Sequence, residues 1–127
     1  MIAVDTSALM AIVLDEREAS TCIAALETED EILISAATIA EALIVAARRN
    51  VADEMASVID GLGFTIVAVT AASTRRVARA YERWGKGLHA AGLNFGDCFA
   101  YDVAKDHDCP LLYIGRDFAG TDVRSAA

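Results

Sequence analysis

Short apolar runs alternate with amphipathic helical stretches along the whole chain, and no other feature constrains the fold as much. Residues 2–5 form a brief apolar run ended by an acid, 31–35 carry Ile32, Leu33 and Ile34, and 64–69 and 111–114 repeat the pattern. Between these runs, apolar spacing predicts helices over 6–14, 16–27, 38–49, 52–62, 73–84 and 97–106. Ala19, Ile23, Ala24 and Leu26 are expected to face inward from the second helix. Val77, Ala80, Tyr81 and Trp84 are expected to do so from the fifth. Residues 85–96 hold four glycines and read as loop, and a last strand is expected from Asp122 onward. Strands this short and continuously apolar are buried on both faces, which calls for helices on both sides of a parallel sheet. The expected fold is therefore α/β: a three-layer α/β/α sandwich around a mainly parallel sheet. With one proline, Pro110, and no Ser/Gly-rich linker or repeat, residues 1–127 read as one domain. That length closes a core without disulfide or metal staples.

Bulk properties narrow the function classes. No apolar run approaches the ~20 residues that span a bilayer, and no basic segment precedes the first apolar residues as in a secretory signal. Cys22, Cys98 and Cys109 are odd in number and widely spaced. They form no CxxC pair, and His89 and His107 complete no zinc spacing with them. Buried, reduced thiols in a cytoplasmic protein are the expectation, with both histidines solvated. The formal charge of −8 and pI near 4.6 argue against a protein that coats DNA with a basic surface.

Acids fall where an open parallel sheet gathers ligands, outside the carboxyl ends of its strands. Asp5 ends the first strand, Glu41 lies one helical turn past the second, and Asp117 follows the fourth. Asp97 opens the helix leading into that fourth strand. If those strands are neighbours, four carboxylates converge. Such a cluster stays ionised only around a cation, and all-oxygen ligands favour Mg2+ or Mn2+ over zinc. Each acid also has a purely structural reading. Asp5 suits an N-cap, Thr38 to Glu41 has capping-box spacing, Asp97 after Gly96 suits an N-cap, and Asp117 suits a turn between Gly115 and Gly120. Asp122 is a substitute or helper for Asp117, while Asp102 and Asp106 read as solvated.

Several of these segments closely resemble the PIN-domain ribonucleases, specifically the VapC-type toxins of bacterial toxin–antitoxin pairs. They are Ile2-Ala-Val-Asp5-Thr-Ser7-Ala-Leu, the stretch from Ser35 through Glu41-Ala-Leu, and Leu93-Asn-Phe-Gly-Asp97-Cys-Phe-Ala-Tyr101. Pro110-Leu-Leu-Tyr and Gly115-Arg-Asp117-Phe118 follow in order. The resemblance implies a PIN-type sandwich, usually homodimeric. It makes Asp5, Glu41 and Asp97 metal-binding acids, Asp117 the more variable fourth, and Ser7 the hydroxyl that orders the first acid. It implies Mg2+- or Mn2+-dependent hydrolysis of RNA to 5′-phosphate and 3′-hydroxyl ends. We expect Asp5 and Asp97 to hold the principal ion, with Glu41 and Asp117 positioning water or a second ion. A VapB-type antitoxin is implied as partner. The apolar stretches Leu9 to Leu14 and Ile39 to Val45 offer it a groove, although core packing explains them equally well.

RNA must also be held. Residues 1–62 carry 12 acids against 3 bases, whereas 63–127 carry 7 against 8. Arg75, Arg79 and Arg83 form an i, i+4, i+8 stripe, with Arg76 and Lys86 nearby, and would contact phosphate without reading sequence. An ordinary solvated face partly balanced by Glu82 is the other reading. Arg116 borders the acids directly. Three alternatives stand beside the ribonuclease: a catalytically silent PIN-like module binding RNA or protein, a DNA-directed nuclease of the same fold, and a phosphorylated receiver domain. The last would need an acidic pair at the first strand and a lysine after the last, and the chain offers neither.

Overall fold

Ile2 and Val4 turn to one face of a sheet and Ala3 to the other, and the same two-residue period organises the whole molecule. The computed structural model describes residues 1–127. Four strands, β1 (Ile2–Val4), β2 (Ile32–Ser35), β3 (Thr65–Val67) and β4 (Leu111–Leu112), form one all-parallel sheet in the order β3-β2-β1-β4. Six helices cover it: α1 (Thr6–Val13), α2 (Ala19–Glu27), α3 (Ala36–Arg48), α4 (Ala52–Gly61), α5 (Ala71–Trp84) and α6 (Phe95–Asp106). Ile2, Val4, Ile32, Ile34 and Leu112 pack with Leu9, Cys22, Ala42 and Met55 of α1 to α4. Ala3, Leu33 and Leu111 pack with Val77, Trp84, Cys98 and Tyr101 of α5 and α6. The three-layer parallel sandwich is as expected. All three cysteines are buried and unpaired, and no helix is long and apolar enough to cross a membrane.

Strand order fixes where a site can form. The chain winds outward from β1 through β2 to β3, then returns to place β4 on the other flank of β1. The crevice between β1 and β4 is therefore the point where strand order reverses, the usual ligand position in such sheets. The two strands are tied there by Asp5 N–H donating to the Leu112 carbonyl at 3.0 Å.

Several element boundaries differ from the sequence expectation. Ser35, the last residue of β2, is also the N-cap of α3, its Oγ accepting from Ala37 N–H at 3.2 Å. The helix thus starts at Ala36 rather than near Thr38, and no Thr38–Glu41 capping box forms. In α2 only Ala19, Cys22 and Leu26 are buried, and Ile23 and Ala24 face outward. Tyr81 also stays largely at the surface. β3 is a three-residue edge strand with Ile66 59% exposed, so it lacks the second covering layer its composition suggested. No fifth strand follows Asp122. The tail contributes one isolated bridge, Leu111 N–H donating to Arg124 O at 2.8 Å and Ala126 N–H to Leu111 O at 3.0 Å.

Candidate active site

Asp5 leaves β1 with extended backbone (φ −96°, ψ 157°) and caps α1, one oxygen serving as the cap. Its Oδ2 accepts from Ser7 N–H at 3.0 Å and from Ser7 Oγ–H at 2.6 Å. Ser7 Oγ in turn accepts from Ile114 N–H at 2.9 Å, linking the acid to the segment beyond β4. Asp5 is 3% exposed, and its Oδ1 is buried with no partner. Burial pushes the carboxyl up to about 6 despite the two Ser7 hydrogen bonds that favour the anion, and the Glu41 charge adds to the rise.

Asp97 is the third residue of α6, not its cap. Asn94 is the cap, its Oδ1 accepting from Asp97 N–H at 2.8 Å while Asp97 Oδ2 accepts from Asn94 N–H at 2.9 Å. This reciprocal capping box uses one Asp97 oxygen and leaves Oδ1 without a protein donor. Burial raises the Asp97 carboxyl to about 7, opposed by the Asn94 hydrogen bond and reinforced by the charges of Asp5, Glu41 and Asp117. Those three acids are thus all close enough to Asp97 to act on its proton.

Glu41 projects from α3, half-buried, with Oε1 accepting from Thr6 Oγ1–H at 2.6 Å. Its Oε2 lies against Gly96. Asp117 precedes a one-turn 3-10 helix (Phe118–Gly120), is exposed, and its carboxylate accepts no hydrogen bond. Phe118 anchors this loop, being buried against Tyr113. Asp5, Glu41 and Asp97 therefore share one design: one oxygen tied by the chain's own donors, the other left open.

Asp122 lies outside this group. Tyr101 O–H donates to its Oδ1 at 2.6 Å, and Lys105 and Arg83 approach its Oδ2 at 3.2 and 3.7 Å. Partial burial would raise its pKa, but these hydrogen bonds and charges hold it below the ordinary value. Tyr101 also accepts from Trp84 Nε1–H at 3.0 Å, so Asp122 ties the tail to α5 and α6. Asp102 is likewise not solvated. It is buried and paired with Arg76 at 2.7 Å, and Arg76 also reaches Asp106 at 3.4 Å.

The basic stripe is divided. Arg75 and Arg79 are exposed and form no ion pair, whereas Arg83 sits over the Trp84 ring at 4.4 Å and faces Asp122. Arg79 and Arg83 border a cleft of about 530 Å³ between α5 and α6. Arg116 is exposed beside Asp117. His89 accepts from Ala91 N–H at 2.9 Å through Nδ1 and packs edge-on to Trp84, and His107 bonds the Val103 carbonyl through Nδ1.

The donor set fits a hard divalent cation. The buried, unpartnered Asp5 Oδ1 and the open oxygens of Glu41 and Asp97 are all anionic oxygens, with no thiolate or imidazole among them. No three of these side chains are drawn together tightly enough to ligate one ion as they stand.

Comparison with known proteins identifies the family of this fold. Residues 2–123 match the PIN domain family model. The chain belongs to the PIN domain family. Within that family it is 40% identical over 127 residues to ribonuclease VapC30 of Mycobacterium tuberculosis, covering 98% of this chain and 97% of the relative. A VapC ribonuclease of Mycolicibacterium smegmatis is 39% identical over 123 residues, covering 94% and 95%. Among solved structures, M. tuberculosis VapC20, described as a sarcin–ricin loop cleaving toxin, superposes with a TM-score of 0.76 at 18% identity, covering 98% of this chain and 99% of that one. At that identity the likeness speaks for the PIN fold alone.

Sequence reasoning did not find Thr6, Asn94 or Gly96. Asn94 was accessible, because Asn-x-x-Asp has capping-box spacing. Thr6 and Gly96 act on a residue distant in sequence, and no local pattern marks that.

Proposed function

We propose that this PIN domain is a divalent-cation-dependent endoribonuclease, the toxin of a toxin–antitoxin pair, and that Asp5, Glu41, Asp97 and Asp117 hold its cation. The observation that carries the reading is Asp5 Oδ1: a carboxylate oxygen buried without a partner beside other acids whose free oxygens are also uncommitted. Its ribonuclease relatives support the same activity. Bound there, Mg2+ or Mn2+ supplies Lewis acidity, offsetting phosphodiester charge and making water a competent nucleophile at neutral pH. Asp5 and Asp97 are the principal ligands, and Glu41 and Asp117 complete the set or orient the attacking water. Ser7 holds Asp5 in one rotamer through two hydrogen bonds, and Asn94 does the same for Asp97. The water oxygen bonds to phosphorus as the 3′ oxygen leaves, giving 5′-phosphate and 3′-hydroxyl ends. Arg116 is placed to meet a phosphate entering beside Asp117. The unpaired Arg75 and Arg79, with Arg83, hold strand further away.

An antitoxin partner is part of this reading, supported by the 40% identity to ribonuclease VapC30; a chain of a Klebsiella pneumoniae toxin–antitoxin complex shares the fold (TM-score 0.73, 19% identity, covering 96% of this chain and 93% of that one). A groove of about 480 Å³ lined by Ile12, Ile23, Leu26, Val58 and Leu62 carries Glu27 and Glu29 among its walls. It suits an apolar helix with basic flanks. Leu9, Met10 and Ala11 do not contribute, being core residues. Purified protein incubated with structured RNA, with DNA, and with Mg2+, Mn2+ or EDTA tests the function, alongside Asp5→Ala and Asp97→Asn. We expect cation-dependent RNA cleavage abolished by either substitution. Cleavage that survives EDTA and Asp5→Ala refutes it, and cleavage of DNA alone assigns the site to a different substrate. Light scattering of the same preparations tests the expected homodimer.

A further inference from the structure

We infer that Thr6 and Gly96 together position the Glu41 carboxylate, and that the cation affinity of the site depends on them; the inference rests on the cation-site reading above. Glu41 arrives on a long side chain from α3, an element that supplies none of the other acids. A glutamate with three rotatable bonds is a poor ligand unless its carboxylate is fixed beforehand. Thr6, 8% exposed, makes its only side-chain hydrogen bond to Glu41 Oε1, at 2.6 Å. On the opposite side Gly96 leaves the space that the carboxylate fills. A Cβ there would lie 1.8 Å from Oε2 and 2.6 Å from Cδ. Gly96 does not have a positive φ, so its backbone would accept alanine. As the second residue of a helix it has no conformational reason to be glycine. Space for Glu41 is the reason that remains. The obstructed atoms belong to the free end of a flexible side chain, so an added methyl would move the carboxylate rather than break the fold.

The two residues flank the other acids in sequence: Thr6 follows Asp5, and Gly96 precedes Asp97. Fixing Glu41 therefore couples it to both. Thr6 is a positioning residue, acting through Glu41 with its hydroxyl, and Gly96 acts through Glu41 by absence of a side chain. Glu41 Oε2 stays open only while both are in place.

Calorimetric titration of the RNA-free protein with Mn2+ tests this, with thermal melts in EDTA to check folding. Thr6→Val and Gly96→Ala should each weaken Mn2+ binding about tenfold, and Thr6→Ser, which restores the hydroxyl, should bind as the parent does. In a Glu41→Ala background neither substitution should weaken binding further, because both act through Glu41. Gly96→Ala lies on a different helix from Thr6, so the test does not depend on one variant folding. Parent-like binding by both Thr6→Val and Gly96→Ala, with Glu41→Ala weakened, overturns the inference and leaves the cation site intact. So does a loss that persists in full without Glu41. Parent-like binding by Glu41→Ala removes Glu41 from the ligand set and overturns the inference, whereas no Mn2+ binding by the parent chain refutes the cation-site reading itself.

Discussion

Replacing Asp5 with asparagine should stabilise the cation-free protein at pH 8, an unusual outcome for a buried, hydrogen-bonded residue. Burial lifts the Asp5 carboxyl from the ordinary 3.8 to about 6. The folded chain therefore keeps a proton on Asp5 through a pH range in which the unfolded chain has already lost it. That advantage is complete below 3.8 and is surrendered as pH climbs to about 6, above which the folded state carries the full cost of a buried charge. At 1.36 kcal/mol per pKa unit the cost at pH 8 is on the order of 3 kcal/mol, falling to about 0.5 kcal/mol at pH 4. An asparagine side chain is the same size, offers an oxygen to Ser7 N–H and Oγ–H, and carries no charge. Urea denaturation in EDTA should show Asp5→Asn more stable than the parent at pH 8 by up to about 3 kcal/mol and equal to it near pH 4. Adding Mn2+ at a hundred times its Kd should stabilise the parent by about 2.7 kcal/mol and leave Asp5→Asn unmoved. If Asp5→Asn is less stable than the parent at pH 8, Asp5 carries no uncompensated charge and the argument fails. Equal stabilisation of both proteins by Mn2+ removes Asp5 from the ligand set.

Three further outcomes follow from particular contacts. Ser7→Ala deletes a donor to Asp5 and the acceptor for Ile114 N–H; it should cost about 1–3 kcal/mol in urea denaturation and lower RNA cleavage with it. Arg76→Ala leaves Asp102 buried without its partner. We expect a loss of about 2–3 kcal/mol with cleavage per folded molecule unchanged, because the pair lies outside the acid cluster. Arg79→Ala and Arg116→Ala should each weaken RNA binding and reduce the slope of log K against log salt by about one, and a slope unchanged in either variant removes that residue from the interface.

How much of this was legible in the sequence depended on whether the cause was local. The two-sided burial of β1 and β2 was legible, because Ile2-Ala-Val and Ile32-Leu-Ile permit no solvent face. The choice between cap and ligand was not, and the capping contacts in the structure do not exclude a ligand role. Asp5 and Asp97 each have two oxygens, and each spends one as a capping device while keeping the other open. Glu41 escaped its capping reading because Ser35, buried at the end of β2, ends the strand and caps α3 at once. That doubling moves the helix start upstream and puts Glu41 well inside α3. Asp122 matched Asp117 in type and lay only a few residues away, yet Tyr101 and Lys105 turn it toward α6. Partners 21 and 17 residues off leave no trace in local spacing.

Net charge misleads for the same reason. A surplus of −8 predicts repulsion of phosphate only if the charges act where the substrate arrives. Here the acid excess lies in residues 1–62, which build the groove beside Glu27 and Glu29, while eight of the eleven basic residues, Arg75, Arg79 and Arg116 among them, lie in the second half. Asp5 and Asp97 hold their protons toward neutral pH when no cation is bound, so even the cluster is less anionic than its formula. On the proposed function, a divalent cation held among them would reverse the local sign and draw phosphate to the cluster. On that reading the composition of the chain fits a basic partner beside the acid-rich half and an anionic substrate at a single point, which strand order would set where Asp5 lies beside the loop that carries Asp117.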